Sequence, residues 1–406
     1  MKDSILLHRE IETVSYNPSA PISKKNTDFI KEMFVNILTS LNQWELEKRT
    51  IMSSIKNIDA QFIKSGLRLK SNIPGHVRQS ILEQCVKTIS FDISFHNRQF
   101  KIYLCMPVSY TKTTMTNIMR LVHSWFTFAN PFVEDNRCSA TVDIFLYLTN
   151  HKKILPTEED IIIGVDHVNS AFTTGCDPHT EVNIFREEEW FRVLIHESFH
   201  NLGFDFSSMN PIVLERQQLD LKQVFLVNNV KEVRIYEAYC EGWAEILNVM
   251  FYTILNTHLP ENPSSKVVLN VWVEKFHASI RREQLFSLSQ CVKILKHNHL
   301  DYEDLFTEKA ALFRENSNTF AYYILKCILI VHIDSFFDFC LNQNDVFSFH
   351  FKKKIGNLNS FNQLFLKHSR SDEMLSGIDT MKRHLMKTNR DFFRNTARMT
   401  LTEIMF

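Results

Sequence analysis

Two histidines and a glutamate interrupt an otherwise apolar segment of the chain. In "WFRVLIHESFHNLGF", His196 and His200 lie four residues apart with Glu197 between them. The apolar residues around them predict a helix, and a spacing of four places both imidazoles on one face of it, one turn apart. Because burying ionisable groups without partners is costly, something must compensate them, and two imidazoles at this spacing can share one metal ion.

The pattern H-E-x-x-H predicts a zinc site with a general base. His196 and His200 would be ligands of one zinc ion, while Glu197 points to the side of the pair and acts as the base. Zinc then requires a third protein ligand. Gly203 matches the extended metzincin motif H-E-x-x-H-x-x-G-x-x-H, but Phe206 stands at its ligand position and does not bind zinc. That extension therefore fails.

An acidic helix further along the chain is the other source of a ligand. "YEAYCEGWAEI" carries Glu237, Glu241 and Glu245 at i, i+4 and i+8, so all three lie on nearly the same helical face. One can ligate the metal while a neighbour orients a ligand histidine. Two assignments fit: Glu241 with Glu245 behind it, or Glu237 with Glu241 behind it. A solvated helix face is the other interpretation of these acids.

These motifs resemble the gluzincins, the glutamate-liganded zinc peptidases of the thermolysin and neprilysin type. Such enzymes pair H-E-x-x-H with a downstream glutamate that is often followed by an acid four residues on, as in "EGWAE". The resemblance implies a zincin-like fold, one zinc ion held by His196, His200 and Glu241, and Glu245 behind the third ligand. We favour Glu241 over Glu237 because E-G-x-A recurs in such sites and Gly242 permits close packing. It also implies hydrolysis of a peptide or protein substrate, with Glu197 as general base.

The same resemblance assigns a substrate-binding strand. In thermolysin-like enzymes an edge strand with the motif N-A-F and a short second strand precede the zinc helix, and "NSAF" takes that place here with one inserted serine. The residues are Asn169, Ser170, Ala171 and Phe172. Their unpaired backbone groups would bind an extended peptide as an added strand. An ordinary short strand is the alternative interpretation.

Tyrosines at the start of a later apolar helix are candidate donors to the oxyanion of the reaction. "SNTFAYYILKC" resembles the tyrosine-bearing helix of the oligopeptidase and angiotensin-converting-enzyme branches, with Tyr322 first and Tyr323 second. A purely structural position in the core is the alternative role of both. His277, Arg281 and Arg282 are the other donors that the sequence offers.

Two rival interpretations stay open beside the peptidase. "NIFREEEWFRVLIHESFHNLGFDFS" resembles uncharacterised proteins of large DNA viruses, as does the composition with 34 Phe and only 8 Gly. The first rival is a catalytically inactive zincin-fold virion or scaffold protein with a structural zinc. The second rival is a metal-independent helical interaction protein.

The amino-acid composition indicates which partners and which cellular location to expect. Lys+Arg and Asp+Glu are both 46 in 406 residues, and this zero net charge predicts no nucleic-acid partner. The eight cysteines contain no C-x-x-C pair and predict free thiols of a reducing compartment. The first residues lack the apolar region of a signal peptide, and the most apolar segment contains Lys326, His332 and Asp334, so we expect no membrane span. A soluble intracellular protein is expected, in the host cytoplasm or the virion if the source is viral.

The helices and strands predicted around these residues indicate an α+β fold. We expect a small mixed β-sheet of five strands with the zinc-site helix, followed by an all-helical C-terminal lobe. A hairpin turns at His96-Asn97-Arg98, and "SATVDIFLYLTN", "HVNSAFTT" and "TEVNIFR" supply the other strands. The expected divisions are a polar arm (1–26), an N-terminal helical cap (27–86), the zincin-like sheet with its H-E-x-x-H helix (87–206) and the helical lobe with the third zinc ligand (207–406).

Overall fold

Helices and one mixed β-sheet make up the fold, which confirms the predicted α+β class. The computed structural model describes residues 2–18, 21–107, 109–134, 138–259, 264–344 and 349–404. The chain divides into two compact units. Unit 1 consists of residues 1–31, 153–169 and 205–403, and unit 2 consists of residues 32–152, 170–204 and 404–406.

The described residues form fifteen α-helices and six strands. The helices are α1 (Lys2–Glu12), α2 (Lys24–Ser53), α3 (Ala60–Arg68), α4 (Gly75–Gln84), α5 (Lys112–Ala129), α6 (Val165–Val168), α7 (Trp190–Asn201), α8 (Pro211–Lys222), α9 (Ile235–Asn256), α10 (Ser265–His297), α11 (Lys326–Val331), α12 (Ile333–Gln343), α13 (Ile355–His368), α14 (Asp372–Lys387) and α15 (Asp391–Asn395). The strands are β1 (Lys56–Ile58), β2 (Lys87–Phe95), β3 (Arg98–Met106), β4 (Thr141–Thr149), β5 (Ala171–Thr173) and β6 (His179–Arg186). Three short 3-10 helices (Asn130–Phe132, Tyr302–Phe306 and Glu308–Leu312) and a π-helix (Phe320–Leu325) complete the set.

The sheet of unit 2 has the strand order β1-β2-β3-β4-β6-β5. β2 and β3 form the predicted antiparallel hairpin, while β3, β4 and β6 run parallel and β5 returns antiparallel to β6. The prediction of five strands was wrong, because β1 pairs with β2 as a sixth. Its three residues are too few to show an alternating pattern. The strand predicted over "HVNSAFTT" was too long, since α6 takes its first residues and β5 begins only at Ala171.

Both faces of the sheet are covered within unit 2. Helices α3 and α4 cover one face, where Ile63, Leu67, Val77 and Ile81 pack with Tyr103, Cys105, Phe145, Tyr147 and Phe185 of the strands. On the other face, Phe126 of α5 stacks on Phe100 of β3 with ring centroids 4.1 Å apart. Burial on both faces accounts for the continuous apolar runs in the central strands.

Unit 1 is helical, as predicted for residues from 207 onward. Among its described residues, β-structure is limited to the isolated bridges Ile154–Thr396 and Gly164–Asn316. Helix α1 lies in the segment predicted as a polar arm, because Leu7 and Ile11 are one turn apart and bury their side chains. Within the described residues, no helix combines the length and the apolar character that crossing a bilayer requires.

Residues 396–403, which we call the C-terminal segment, are held by buried polar side chains of unit 1. Its backbone is bound by Lys293 at Thr396, Tyr323 at Ala397, Lys326 at Met399, Asn248 at Thr402, and Glu283 at Leu401 and Thr402. Carbonyls accept from the lysine, tyrosine and asparagine donors, and the Glu283 carboxylate accepts from the two N–H groups. Because buried backbone groups need partners, these side chains stabilise the segment in the core.

One pair of cysteines is not free. Cys138 and Cys176, both in unit 2, form a disulfide across a separation of 38 residues. The prediction of free thiols was therefore wrong for these two. The other six cysteines are free: Cys85 is half-buried, and Cys105, Cys240, Cys291, Cys327 and Cys340 are buried.

Candidate metal site

Helix α7 carries the H-E-x-x-H residues and is buried in unit 2. Each of its residues except His200 is buried, which accounts for the apolar sequence around the motif. A polar contact fixes the helix to α5: the Ser198 hydroxyl accepts a hydrogen bond from Trp125 Nε1 at 2.9 Å. The same hydroxyl donates to the Leu194 carbonyl of its own helix at 2.6 Å.

The end of α7 places His200 in its last turn. The Gly203 N–H donates to the His200 carbonyl and the Phe204 N–H donates to the Phe199 carbonyl, at 3.2 and 2.9 Å. This is the Schellman arrangement, in which the residue after the helix takes a left-handed conformation, and Gly203 has φ 73°. The Phe199 and Phe204 rings make the accompanying apolar contact, with centroids 5.4 Å apart. The glycine that matches part of the metzincin motif thus has a structural role, namely ending the helix.

The two imidazoles approach each other through their Nε2 atoms. His196 Nε2 and His200 Nε2 lie 3.2 Å apart, and the ring planes cross at 77°. Two nitrogens bound to one tetrahedral zinc at 2.0–2.1 Å stand about 3.3 Å from each other. The spacing of the two nitrogens therefore fits zinc. Both histidines also belong to groups of His, Cys, Asp or Glu side chains that could hold a metal ion. Glu197 is 8% exposed and follows His196 directly on the helix.

The predicted substrate strand lies at one edge of the sheet. Ala171 and Phe172 belong to β5, which is the terminal strand and pairs with β6 on one side. The Ser170 carbonyl accepts from the Phe185 N–H at 2.9 Å, which continues that pairing. Asn201 of α7 donates to the Thr173 hydroxyl at 3.4 Å, so the end of the zinc-motif helix and the edge strand are in contact.

Asn169 is the fourth residue predicted for substrate binding, and its surroundings differ from those of the other three. It precedes the strand and belongs to unit 1, where its side-chain oxygen accepts a hydrogen bond from the Ser317 hydroxyl at 2.7 Å. This contact fits two roles of Asn169 equally well. One is to hold the segment around Ser317 in place, and the other is to bind substrate.

The three acids of α9 are all buried but have different surroundings within unit 1. Glu237, Glu241 and Glu245 are 7%, 3% and 0% exposed. Glu245 forms an ion pair with Lys326 at 2.5 Å. Glu237 accepts a hydrogen bond from Asn318 Nδ2 at 3.2 Å.

The two candidate tyrosines differ in what their hydroxyls contact. Tyr322 lies in the π-helix, and its hydroxyl accepts from the same Asn318 amide that donates to Glu237, at 3.3 Å. Tyr323 is 1% exposed and donates to the Ala397 carbonyl at 2.6 Å. Tyr322 is thus the tyrosine beside an acid of α9, and π-helices often occur at functional sites. Asn318, which joins them, is a residue that the sequence patterns did not single out.

The remaining donors predicted from the sequence lie on α10. Arg282 forms an ion pair with Glu12 of α1, with Nε 3.3 Å from Oε1. Burial lowers the pKa of His277, and the charge of Arg281 lowers it further, so this imidazole is neutral at neutral pH.

No protein-family model, curated protein or solved structure matches this chain.

Proposed function

We propose that this protein is a zinc-dependent peptidase with a zincin-like fold and a gluzincin-type site. The observation that supports the proposal most strongly is the 3.2 Å separation of the Nε2 atoms of His196 and His200 on α7. It is the spacing that two ligands of one tetrahedral zinc require. Glu197 lies between them in the sequence, at the position that the chemistry assigns to a general base.

The third ligand in this proposal is a glutamate of α9. Glu245 is the weakest of the three candidates, because its carboxylate is already neutralised by Lys326. Between the other two we favour Glu237, since its carboxylate lies in polar surroundings, where the Asn318 amide donates a hydrogen bond to it. Glu241, one turn further along α9, would then support the ligand histidines. The sequence alone favoured the opposite assignment.

In the proposed reaction, Glu197, Tyr322 and β5 each have one role beside the zinc. When bound, zinc supplies a Lewis acid that activates water and polarises the substrate carbonyl. A carboxylate oxygen of Glu197 takes the proton of the attacking water and passes it to the leaving amine. The Tyr322 hydroxyl donates a hydrogen bond to the oxygen on which negative charge develops. The edge of β5 opposite β6, which is the last strand of the sheet among the described residues, binds the peptide backbone as an added strand.

The decisive experiment measures zinc content and peptide hydrolysis in the same preparations. We expect about one zinc per chain by mass spectrometry of the metal, on the stoichiometry of a single mononuclear site, and cleavage of a peptide library. Glu197→Gln keeps the zinc and loses the cleavage. The exposed Glu215 of α8 offers the matched control, and Glu215→Gln should change neither.

The rival interpretations give different results in that experiment. A structural zinc in a scaffold protein appears as full zinc content with no cleavage by the unmodified chain. In a metal-independent protein, His196→Ala and a control at the exposed His258, His258→Ala, leave the metal content equally low. Equal cleavage rates for the unmodified protein and Glu197→Gln would refute the assigned base.

A further inference from the structure

Two free thiols lie on either side of one hydroxyl in unit 2, apart from the histidine site. Cys85 directly follows the last residue of α4, where its N–H donates to the Ile81 carbonyl. Cys105 lies on β3, opposite Thr88 of β2 in the antiparallel register. The Thr88 hydroxyl is 3.3 Å from the Cys85 sulfur and 3.6 Å from the Cys105 sulfur.

The pair also borders a small cavity. Cys85 and Cys105 both line it, together with Tyr147, Pro107 and Gln84. Cys85 is half-buried, whereas Cys105 is 1% exposed. Of the two cysteines, Cys85 is therefore the one that can meet a small reagent from solvent.

The pKa values of the two thiols differ as well, and they too make Cys85 the more reactive of the two. The hydrogen bond from the Cys105 thiol lowers the pKa of Cys85 to about 7, although burial opposes this. The pKa of Cys105 is raised, first by its hydrogen bond to Cys85 and then by burial. Since the thiolate is the nucleophile, Cys85 is the reactive member near neutral pH, and Cys105 keeps its proton until Cys85 is consumed.

We propose that Cys85 and Cys105 form a thiol–disulfide exchange site for low-molecular-weight disulfides of the glutathione type. This site is independent of the proposed peptidase. The Cys85 thiolate attacks one sulfur of the disulfide, which breaks the S–S bond, forms a mixed disulfide at Cys85 and releases one small thiolate. The Cys105 thiol loses its proton and attacks the Cys85 sulfur, which releases the second small thiol. Two protein thiols are oxidised to one intramolecular disulfide, and the small disulfide is reduced to two thiols.

The molecule contains a control pair of the same kind. Cys291 on α10 and Cys327 on α11 are also hydrogen-bonded to each other, but both are completely buried. Burial raises the pKa of Cys291 well above that of an ordinary thiol. Because neither sulfur of this second pair is accessible, the pair should stay unreactive although the two cysteines are close together.

The experiment exposes the full-length protein to oxidised glutathione, blocks remaining thiols with N-ethylmaleimide and maps tryptic peptides by mass spectrometry. We expect peptides 79–87 and 102–112 joined by a disulfide. The reaction should proceed on the order of tenfold faster or more than any change at Cys291 and Cys327. Its rate should rise with pH and reach half its maximum near pH 7, as the pKa of Cys85 requires.

Two variants separate the steps. Cys105→Ser should accumulate a glutathione adduct at Cys85, because the resolving thiol is missing. Cys85→Ser should leave Cys105 available to N-ethylmaleimide only after unfolding. The proposal is overturned if, after exposure to oxidised glutathione and subsequent unfolding, both thiols of the unmodified protein still react with N-ethylmaleimide. It is also overturned if the two cysteine pairs react at the same rate, which would indicate general unfolding.

Discussion

Glu245 and Lys326 form a buried ion pair inside unit 1. Lys326 Nζ lies 2.5 Å from the Glu245 carboxylate, and the two side chains are 1% and 0% exposed. The same ammonium donates to the Ser287 hydroxyl and to the Met399 carbonyl of the C-terminal segment. A residue that the sequence places behind a metal ligand is therefore also part of the network that stabilises the end of the chain.

This ion pair predicts a large loss of stability when one partner is removed. Lys326→Met leaves the Glu245 carboxylate buried without its cation, and the free energy of unfolding should fall by about 3–5 kcal/mol. The double variant Lys326→Met/Glu245→Leu removes both charges and should recover most of that loss. Urea unfolding monitored by circular dichroism measures both. Equal losses in the single and double variants would contradict the argument.

The third ligand of the proposed zinc site can be identified by comparing acids of α9. Glu237→Ala should abolish zinc binding, because a ligand is lost. Glu241→Ala should weaken it by about 10–100-fold, the usual effect of removing a supporting residue. Glu245→Gln should leave zinc binding unchanged and affect only stability. Titration with a chromophoric zinc chelator ranks the three variants. The reverse order for Glu237 and Glu241 would restore the assignment favoured by the sequence.

The histidine pair could be predicted from local sequence, because helix geometry alone sets the relation of residues four apart. The hairpin at His96-Asn97 and the helices α5, α9 and α10 follow from local patterns in the same way. The partner of Glu245 could not be predicted. Lys326 was counted among the charges that interrupt an apolar helix, and its ion pair depends on how α9, α11 and the C-terminal segment pack together.

Other features were missed for related physical reasons. The three residues of β1 belong to the sheet only through backbone pairing with β2, which no side-chain pattern records. The disulfide joins Cys138 to Cys176 because folding brings them together across 38 residues, and spacing alone does not reveal this. The role of Gly203 was missed although a glycine just after an apolar helix is a signal for the end of that helix.

Adding one methyl group at Gly203 should have a measurable effect on the free energy of unfolding. Its φ of 73° is costly for residues with a side chain, and an added Cβ would lie 3.3 Å from the Cys138 sulfur. Gly203→Ala should lower the free energy of unfolding by about 1–2 kcal/mol. The control is Gly66→Ala in α3, where an added Cβ meets nothing within 4 Å and helix propensity improves. Chemical denaturation should show opposite signs for the two variants, and a stabilised Gly203→Ala would contradict the role assigned to this residue.

Glu315 predicts how stability changes with pH in the segment before the π-helix. Its carboxylate accepts hydrogen bonds from the Phe320 N–H at 2.7 Å and the Thr319 hydroxyl at 2.8 Å. Burial nevertheless raises the pKa of Glu315 to about 7, because it outweighs these bonds and the charge of Arg234.

The sign of the pH effect follows from proton binding. Between the ordinary pKa of a glutamate and about 7, the folded protein holds a proton at Glu315 that the unfolded chain releases. The contribution of Glu315 to stability is therefore fully present below pH 4.5 and is lost as the pH rises through about 7. Glu315→Gln keeps an oxygen that accepts from Phe320 and cannot ionise, so it should be more stable than the unmodified protein above pH 7 and similar to it near pH 5. Unfolding free energies at these two pH values decide the matter, since an advantage of the same size at both would mean that ionisation of Glu315 is not its cause.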